Sequence, residues 1–171
     1  MKKLQQLYDI TLCTALGAGF WPFGPGTMGA AVGVLLWWLT SLLLPAEWLL
    51  ATTAAAIILI TLLSVPSINR LETVWGPDPS RVVIDEVVGV WICLLGVPFE
   101  CGTPLSLSTT WGWVVAAFVL FRFFDILKPL GVRRMEAFAG GWGVMADDIL
   151  AGLYGLVLML IAQRSLTVGI F

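Results

Sequence analysis

Long apolar runs broken by short polar connections organise the chain. A hydrocarbon core about 30 Å thick takes roughly 20 apolar residues per helix. By that measure the pattern predicts five spans: Met28–Leu44, Trp48–Val65, Val87–Val97, Trp111–Phe124 and Ile149–Ala162. The last three are short, and each meets charge at one end: Arg81, Asp85 and Glu86 before the third, Asp125 and Lys128 after the fourth, Asp147 and Asp148 before the fifth. These helices are expected to run past the lipid with their polar ends gathered together. Tyr8–Phe20 is too mixed to cross alone and is expected to lie along the interface or to re-enter from the cytoplasmic side. The stretch 67–81, rich in proline and glycine at 76–79, reads as a connection that could be a lid or a static loop.

Composition agrees with the pattern. Of 171 residues, 59% are hydrophobic and 12% charged, which describes an all-α, polytopic membrane bundle of one domain over residues 1–171 rather than a soluble globule. Cations set its orientation, because Lys and Arg in short loops stay cytoplasmic. Lys2, Lys3, Arg70, Arg81, Lys128, Arg133 and Arg134 fall on one predicted side, and only Arg164 breaks the rule. The N-terminus is therefore expected inside. A net charge of −2 offers no basic field for nucleic acid. The three cysteines show neither a disulfide framework nor zinc-ligand spacing. The first 20 residues, interrupted by Gln5, Gln6 and Asp9, do not read as a cleaved signal peptide.

Every polar cluster falls on that same side. In WPFGPGTMGA, residues 21–30, glycine and proline exclude a regular helix until the first span opens. Gly26 and Thr27 then lie near a helix N-terminus, where backbone N–H groups favour an anion; a plain tight turn would look the same. In RVVIDEVVG, residues 81–89, one of Asp85 and Glu86 could cap the helix. The other would be an ionised acid at membrane depth that needs a cation. In FRFFDILKP, residues 121–129, Arg122, Asp125 and Lys128 share a helical face and could be phosphate partners or simply an ion pair at the interface. In GGWGVMADDILAG, residues 140–152, Asp147 or Asp148 could be the N-cap of the fifth helix, but not both. Asp85, Glu86, Asp125, Asp147 and Asp148 together are hard oxygen donors suited to Mg²⁺ and to phosphate-ester chemistry on a lipid. The absence of histidine excludes phosphohistidine phosphatases. No Asp-x-Asp pair or CDP-alcohol phosphotransferase signature is present either. A small ion-coupled carrier is the alternative, but it would place polar groups near mid-span, where this chain is apolar. A structural subunit would have no use for five gathered acids.

Four segments in order, GPGTMG at 24–29, IDEVVGVW at 84–91, FRFFDILKP at 121–129 and GGWGVMADDILAG at 140–152, resemble the bacterial phosphatidylglycerophosphatase A family. The resemblance covers about residues 17 to 155. It implies a Mg²⁺-dependent, multi-pass inner-membrane enzyme that removes the terminal phosphate of phosphatidylglycerophosphate to leave phosphatidylglycerol. It further implies catalytic acids at Asp85, Glu86, Asp125, Asp147 and Asp148, with Asp85, Glu86, Asp147 and Asp148 on the metal. Gly26, Thr27, Arg122 and Lys128 would hold the substrate phosphate. Spacing leaves open whether water or an aspartate attacks phosphorus, and it does not set an oligomeric state.

Overall fold

The computed structural model describes residues 2–98, 107–129, 131–135 and 138–167. The helices are α1 (Lys2–Cys13), α2 (Pro25–Ser41), α3 (Ala46–Trp75), α4 (Ile84–Leu94), α5 (Leu107–Leu127), α6 (Val132–Met135) and α7 (Gly141–Thr167), with one 3₁₀ turn at Ala18–Phe20. No strand occurs among the described residues. The fold is all-α.

The centre of the molecule is α4. Its residues from Val87 to Leu94 are all buried, and it packs on α7, α2, α5 and α3. The Trp91 indole N–H donates to the Gly33 carbonyl of α2 at 2.7 Å, which satisfies a polar group in an otherwise apolar interface. Two glycines let α4 and α7 come together. A Cβ on Gly89 would strike the Phe121 ring and the Asp148 carbonyl, and one on Gly152 would strike the Gly89 carbonyl. The outer surface is apolar as well: Ile58, Leu59 and Leu62 on α3, Val115 and Val119 on α5, and Val157 and Ile161 on α7 are exposed. An apolar core inside an apolar exterior is the signature of a bundle made for lipid.

The expectation of five spans is corrected. Among the described residues three helices, α3, α5 and α7, are long and apolar enough to cross a membrane. At 17 residues α2 is shorter than a typical span. With 11 residues, α4 is about 16 Å long and cannot reach across the hydrocarbon core. Its apolar run reflects burial against protein, a cause that periodicity cannot separate from burial in lipid. The second predicted span is also longer than expected: α3 continues through Pro66 to Trp75. The connection is therefore only the short segment after Trp75. Neighbouring protein lets a helix absorb a proline whose missing N–H frees one carbonyl.

The segment expected at the interface is α1 and the turn after it. Asp9, 3% exposed, accepts two hydrogen bonds from Arg70, at 2.8 and 2.6 Å, which fasten α1 to α3. The guanidinium holds the Asp9 carboxyl below its ordinary value. The Val83 N–H donates to the Cys13 carbonyl at 2.8 Å, tying the end of α1 to the start of α4. Burial pushes the Cys13 thiol up to about 12, so this cysteine is an inert packing residue.

Candidate active site

One end of the bundle collects the polar residues: the N-termini of α2, α4 and α7 and the C-termini of α3 and α5. They enclose a cleft of about 540 Å³. Asp85 and Glu86 enter from the first turn of α4, Asp125 from the last turn of α5, Lys128 from just beyond it, and Asp147 and Asp148 from the second turn of α7. Pro25 and Gly26 close one wall. Pro77, Asp78, Pro79 and Ser80 close another.

Within the cleft the charges are sorted. One carboxylate oxygen from each of Glu86, Asp125 and Asp148 lies within 4.8 Å of the other two. Arg122 stands behind two of them, pairing with Asp125 at 2.7 Å and with Glu86. Lys128 pairs with Asp147 at 2.7 Å. Asp148, 3% exposed, receives no side-chain hydrogen bond among the described residues. Five acids therefore share two cations, and charges taken out of water in such excess need a further positive partner. Three convergent hard oxygens with that excess fit a divalent, oxygen-preferring ion such as Mg²⁺.

All of the expected acids reach the cleft, and the three whose oxygens converge are not the same set as the four expected on the metal. Asp125 belongs to the converging trio. Asp85 lines the cleft outside that trio, and its Oδ1 accepts the Glu86 N–H at 3.0 Å. Asp147 is occupied by Lys128 and also accepts the Asp148 N–H at 3.0 Å. Neither Asp147 nor Asp148 is an N-cap, because α7 begins six residues earlier at Gly141. There the Gly141 N–H donates to the Asn69 side chain of α3 at 2.7 Å. Arg122 is not on the cleft wall; it braces the acids from behind.

Gly26 does reach the site. A Cβ there would collide with the Glu86 carboxyl and would lie 3.3 Å from the Arg122 guanidinium, so only glycine lets the α2 backbone approach this ion pair. Thr27, the next residue, is exposed and outside the cleft lining. Lys128 adopts a left-handed backbone conformation, φ 45, directly before Pro129. For a residue other than glycine this costs on the order of 1 kcal/mol, and here it turns the chain out of α5 and keeps the ammonium facing Asp147.

Sequence reasoning missed Asn69 and Glu72. Glu72 lines the cleft and accepts the Asp78 N–H at 3.3 Å, holding the loop after α3 against the site. The available signal was their spacing: with the helix carried through Pro66, residues 69 and 72 lie one turn apart near its polar end.

Comparison with known proteins assigns a family. The profile of a family described as phosphatidylglycerophosphatase A matches residues 11–163. A Bacteroides thetaiotaomicron protein named "Putative phosphatidylinositol-3-phosphatase" is 51% identical over 162 residues, covering 94% of this chain and 97% of that protein. Proteins named phosphatidylglycerophosphatase A are 34% identical in Haemophilus influenzae, over 95% of this chain and 94% of theirs, and 33% identical in Escherichia coli, over 83% and 76%. No solved structure matches the chain. The chain belongs to the phosphatidylglycerophosphatase A family and is a phosphoric monoester hydrolase.

Proposed function

We propose that the enzyme hydrolyses the terminal phosphomonoester of phosphatidylglycerophosphate, giving phosphatidylglycerol and inorganic phosphate. It does so with Mg²⁺, at the cytoplasmic face of a bacterial inner membrane, as a step of phospholipid synthesis. The observation that carries this reading is the convergence of Glu86, Asp125 and Asp148 in a cleft that also holds Lys128. Those three carboxylates would hold the metal ion. When bound, it supplies charge to offset the phosphate oxygens and acidifies a bound water.

The chain's own groups do the rest. Lys128, already at the wall, donates to a phosphate oxygen as a compact cation. The open backbone at Gly26 lets the phosphate come close to the N-terminus of α2, whose N–H groups favour an anion. Arg122 holds Glu86 and Asp125 in place, so neither must reorganise as charge develops. In the reaction a water oxygen joins phosphorus while the bond from phosphorus to the glycerol oxygen breaks. The glycerol oxygen leaves as a hydroxyl, carrying a proton that originates on the water. The acyl chains stay beside the apolar helices, and only the headgroup enters.

The name of the Bacteroides relative supports a second reading, phosphatidylinositol 3-phosphate as substrate. Both lipids carry a phosphomonoester on a polyol that is joined to diacylglycerol through a phosphodiester. Phosphate release by the detergent-purified enzyme, measured on each lipid with Mg²⁺ and then with a chelator, decides between them. Release that is metal-dependent and fastest on phosphatidylglycerophosphate supports the first reading, and faster release from the inositol lipid supports the second. Release unaffected by the chelator would overturn the metal assignment.

A further inference from the structure

We infer that Arg81 is a specificity-determining residue that binds the phosphodiester of the lipid headgroup. The inference rests on the lipid-phosphatase reading above and applies to either lipid considered there. It assigns a second anion subsite at the lip of the cleft, outside the acids.

Three observations lead to it. The guanidinium of Arg81 lies 5.7 Å from the centroid of the Phe20 ring and 5.8 Å from that of Trp75, a double cation–π contact that fixes the side chain without consuming its hydrogen-bond donors. Its charge is also uncommitted: Arg122 and Lys128 are paired with site acids and Arg70 with Asp9, whereas no carboxylate among the described residues pairs with Arg81. Finally, its neighbours Ser80 and Val82 both line the cleft. Arg81 is four residues before Asp85, so their Cα atoms are at most about 14 Å apart.

The order of groups on the protein matches the order of groups on the lipid. Phe20, whose ring Arg81 touches, is exposed, as are Trp21 and Phe23 in the segment after it, and aromatic rings of this kind settle at the headgroup level of a bilayer. A lipid entering from that side presents its acyl chains first to the apolar surface, then the phosphodiester, then the polyol, and last the monoester. Arg81 meets the phosphodiester while the acids meet the monoester. A planar guanidinium can take the two free oxygens of a diester in a bidentate pair. Phosphatidic acid has no such group, so this contact favours a diester-linked headgroup over it.

The test uses the full-length enzyme in mixed micelles and two inhibitors that divide the substrate between them: phosphatidylglycerol, which keeps the diester, and inorganic phosphate, which mimics the monoester. For Arg81→Gln the KM for phosphatidylglycerophosphate and the Ki for phosphatidylglycerol should each rise about tenfold, the scale of one lost charge-assisted contact. kcat and the Ki for inorganic phosphate should stay unchanged. Arg81→Lys should recover part of the loss. Lys3→Gln, which removes the same charge from an exposed position on α1, should change nothing. A Ki for phosphate that rises in step with that for phosphatidylglycerol, or neither Ki moving, would overturn the inference. A wild-type enzyme that releases phosphate from neither diester-linked lipid would instead bring down the functional reading, and the inference with it.

Discussion

Asp148 and Lys128 show what a single side chain contributes here. Asp148 is buried, belongs to the converging trio and has no side-chain donor among the described residues, so its charge is costly there and a bound cation would offset it. Asp148→Asn keeps the shape and removes that charge. It should lower kcat by on the order of a hundredfold or more, with folding retained. Lys128→Ala removes a contact to the phosphate that exists before and during reaction, so it should raise KM roughly tenfold and change kcat less. Steady-state kinetics with circular dichroism on both variants checks this, and equal small effects would sink the shared site. The acids themselves were legible in the sequence, because paired carboxylates beside apolar helices demand compensation. Their partners were not. Whether Asp147 caps a helix or pairs with Lys128 depends on where α7 begins, and the glycines at 140, 141 and 143 conceal that start because glycine is at home both in a turn and in a helix packed closely on its neighbour.

Between elements, the contact of α4 with α7 carries the site, since it sets Glu86 against Asp148. Gly89 leaves no room there for a side chain, since a Cβ would meet the Asp148 carbonyl of α7 and the Phe121 ring of α5. Gly89→Val should destabilise the protein by about 1–3 kcal/mol through overpacking, and by pushing the helices apart it should also reduce kcat. A lowered thermal midpoint with unchanged kcat would separate packing from catalysis and refute the link. The Asp9–Arg70 bridge is a second such fastening, with a pH dependence of known sign. Because the folded Asp9 carboxyl is held below its ordinary value, its stabilisation is complete above that ordinary value, near 3.8, and fades as pH falls through the lowered one. Arg70 is partly open to solvent, so the bridge is worth less than about 1 kcal/mol. Asp9→Asn should therefore melt a few degrees lower than wild type at neutral pH, and the gap should close in strong acid; a gap that persists there would remove the bridge as its cause. Element boundaries were where reading the sequence went furthest astray. The second span was expected to end at Val65, one residue before a proline that α3 in fact carries through, and Val87–Val97 looked like a span because burial in protein and burial in lipid select the same side chains.

For the whole molecule, the decisive fact is that five helix ends converge on one cleft. The opposite end includes the turn between α2 and α3, where Leu43 is 82% exposed. At 30 residues α3 spans about 45 Å from that turn to the loop beside the cleft, enough to place the two on opposite sides of a bilayer. Arg70, Arg81 and Lys128 all lie at the cleft's end of the bundle, and cations in short loops favour the cytoplasm, so the expected orientation has the cleft inside. Ser80 on the cleft wall and Leu43 on the far turn are thus the two positions that read out orientation. In intact cells a membrane-impermeant maleimide should label Leu43→Cys above the level of the parent chain and leave Ser80→Cys at that level. After permeabilisation Ser80→Cys should label as well. The reverse pattern would place the cleft outside, away from any lipid made on the inner leaflet. Labelling of both sites before permeabilisation would mean that α3 does not cross at all. The expected pattern would make the apolar exterior of α3 a lipid-facing surface in fact and put the acids of α4, α5 and α7 at the leaflet from which their substrate enters.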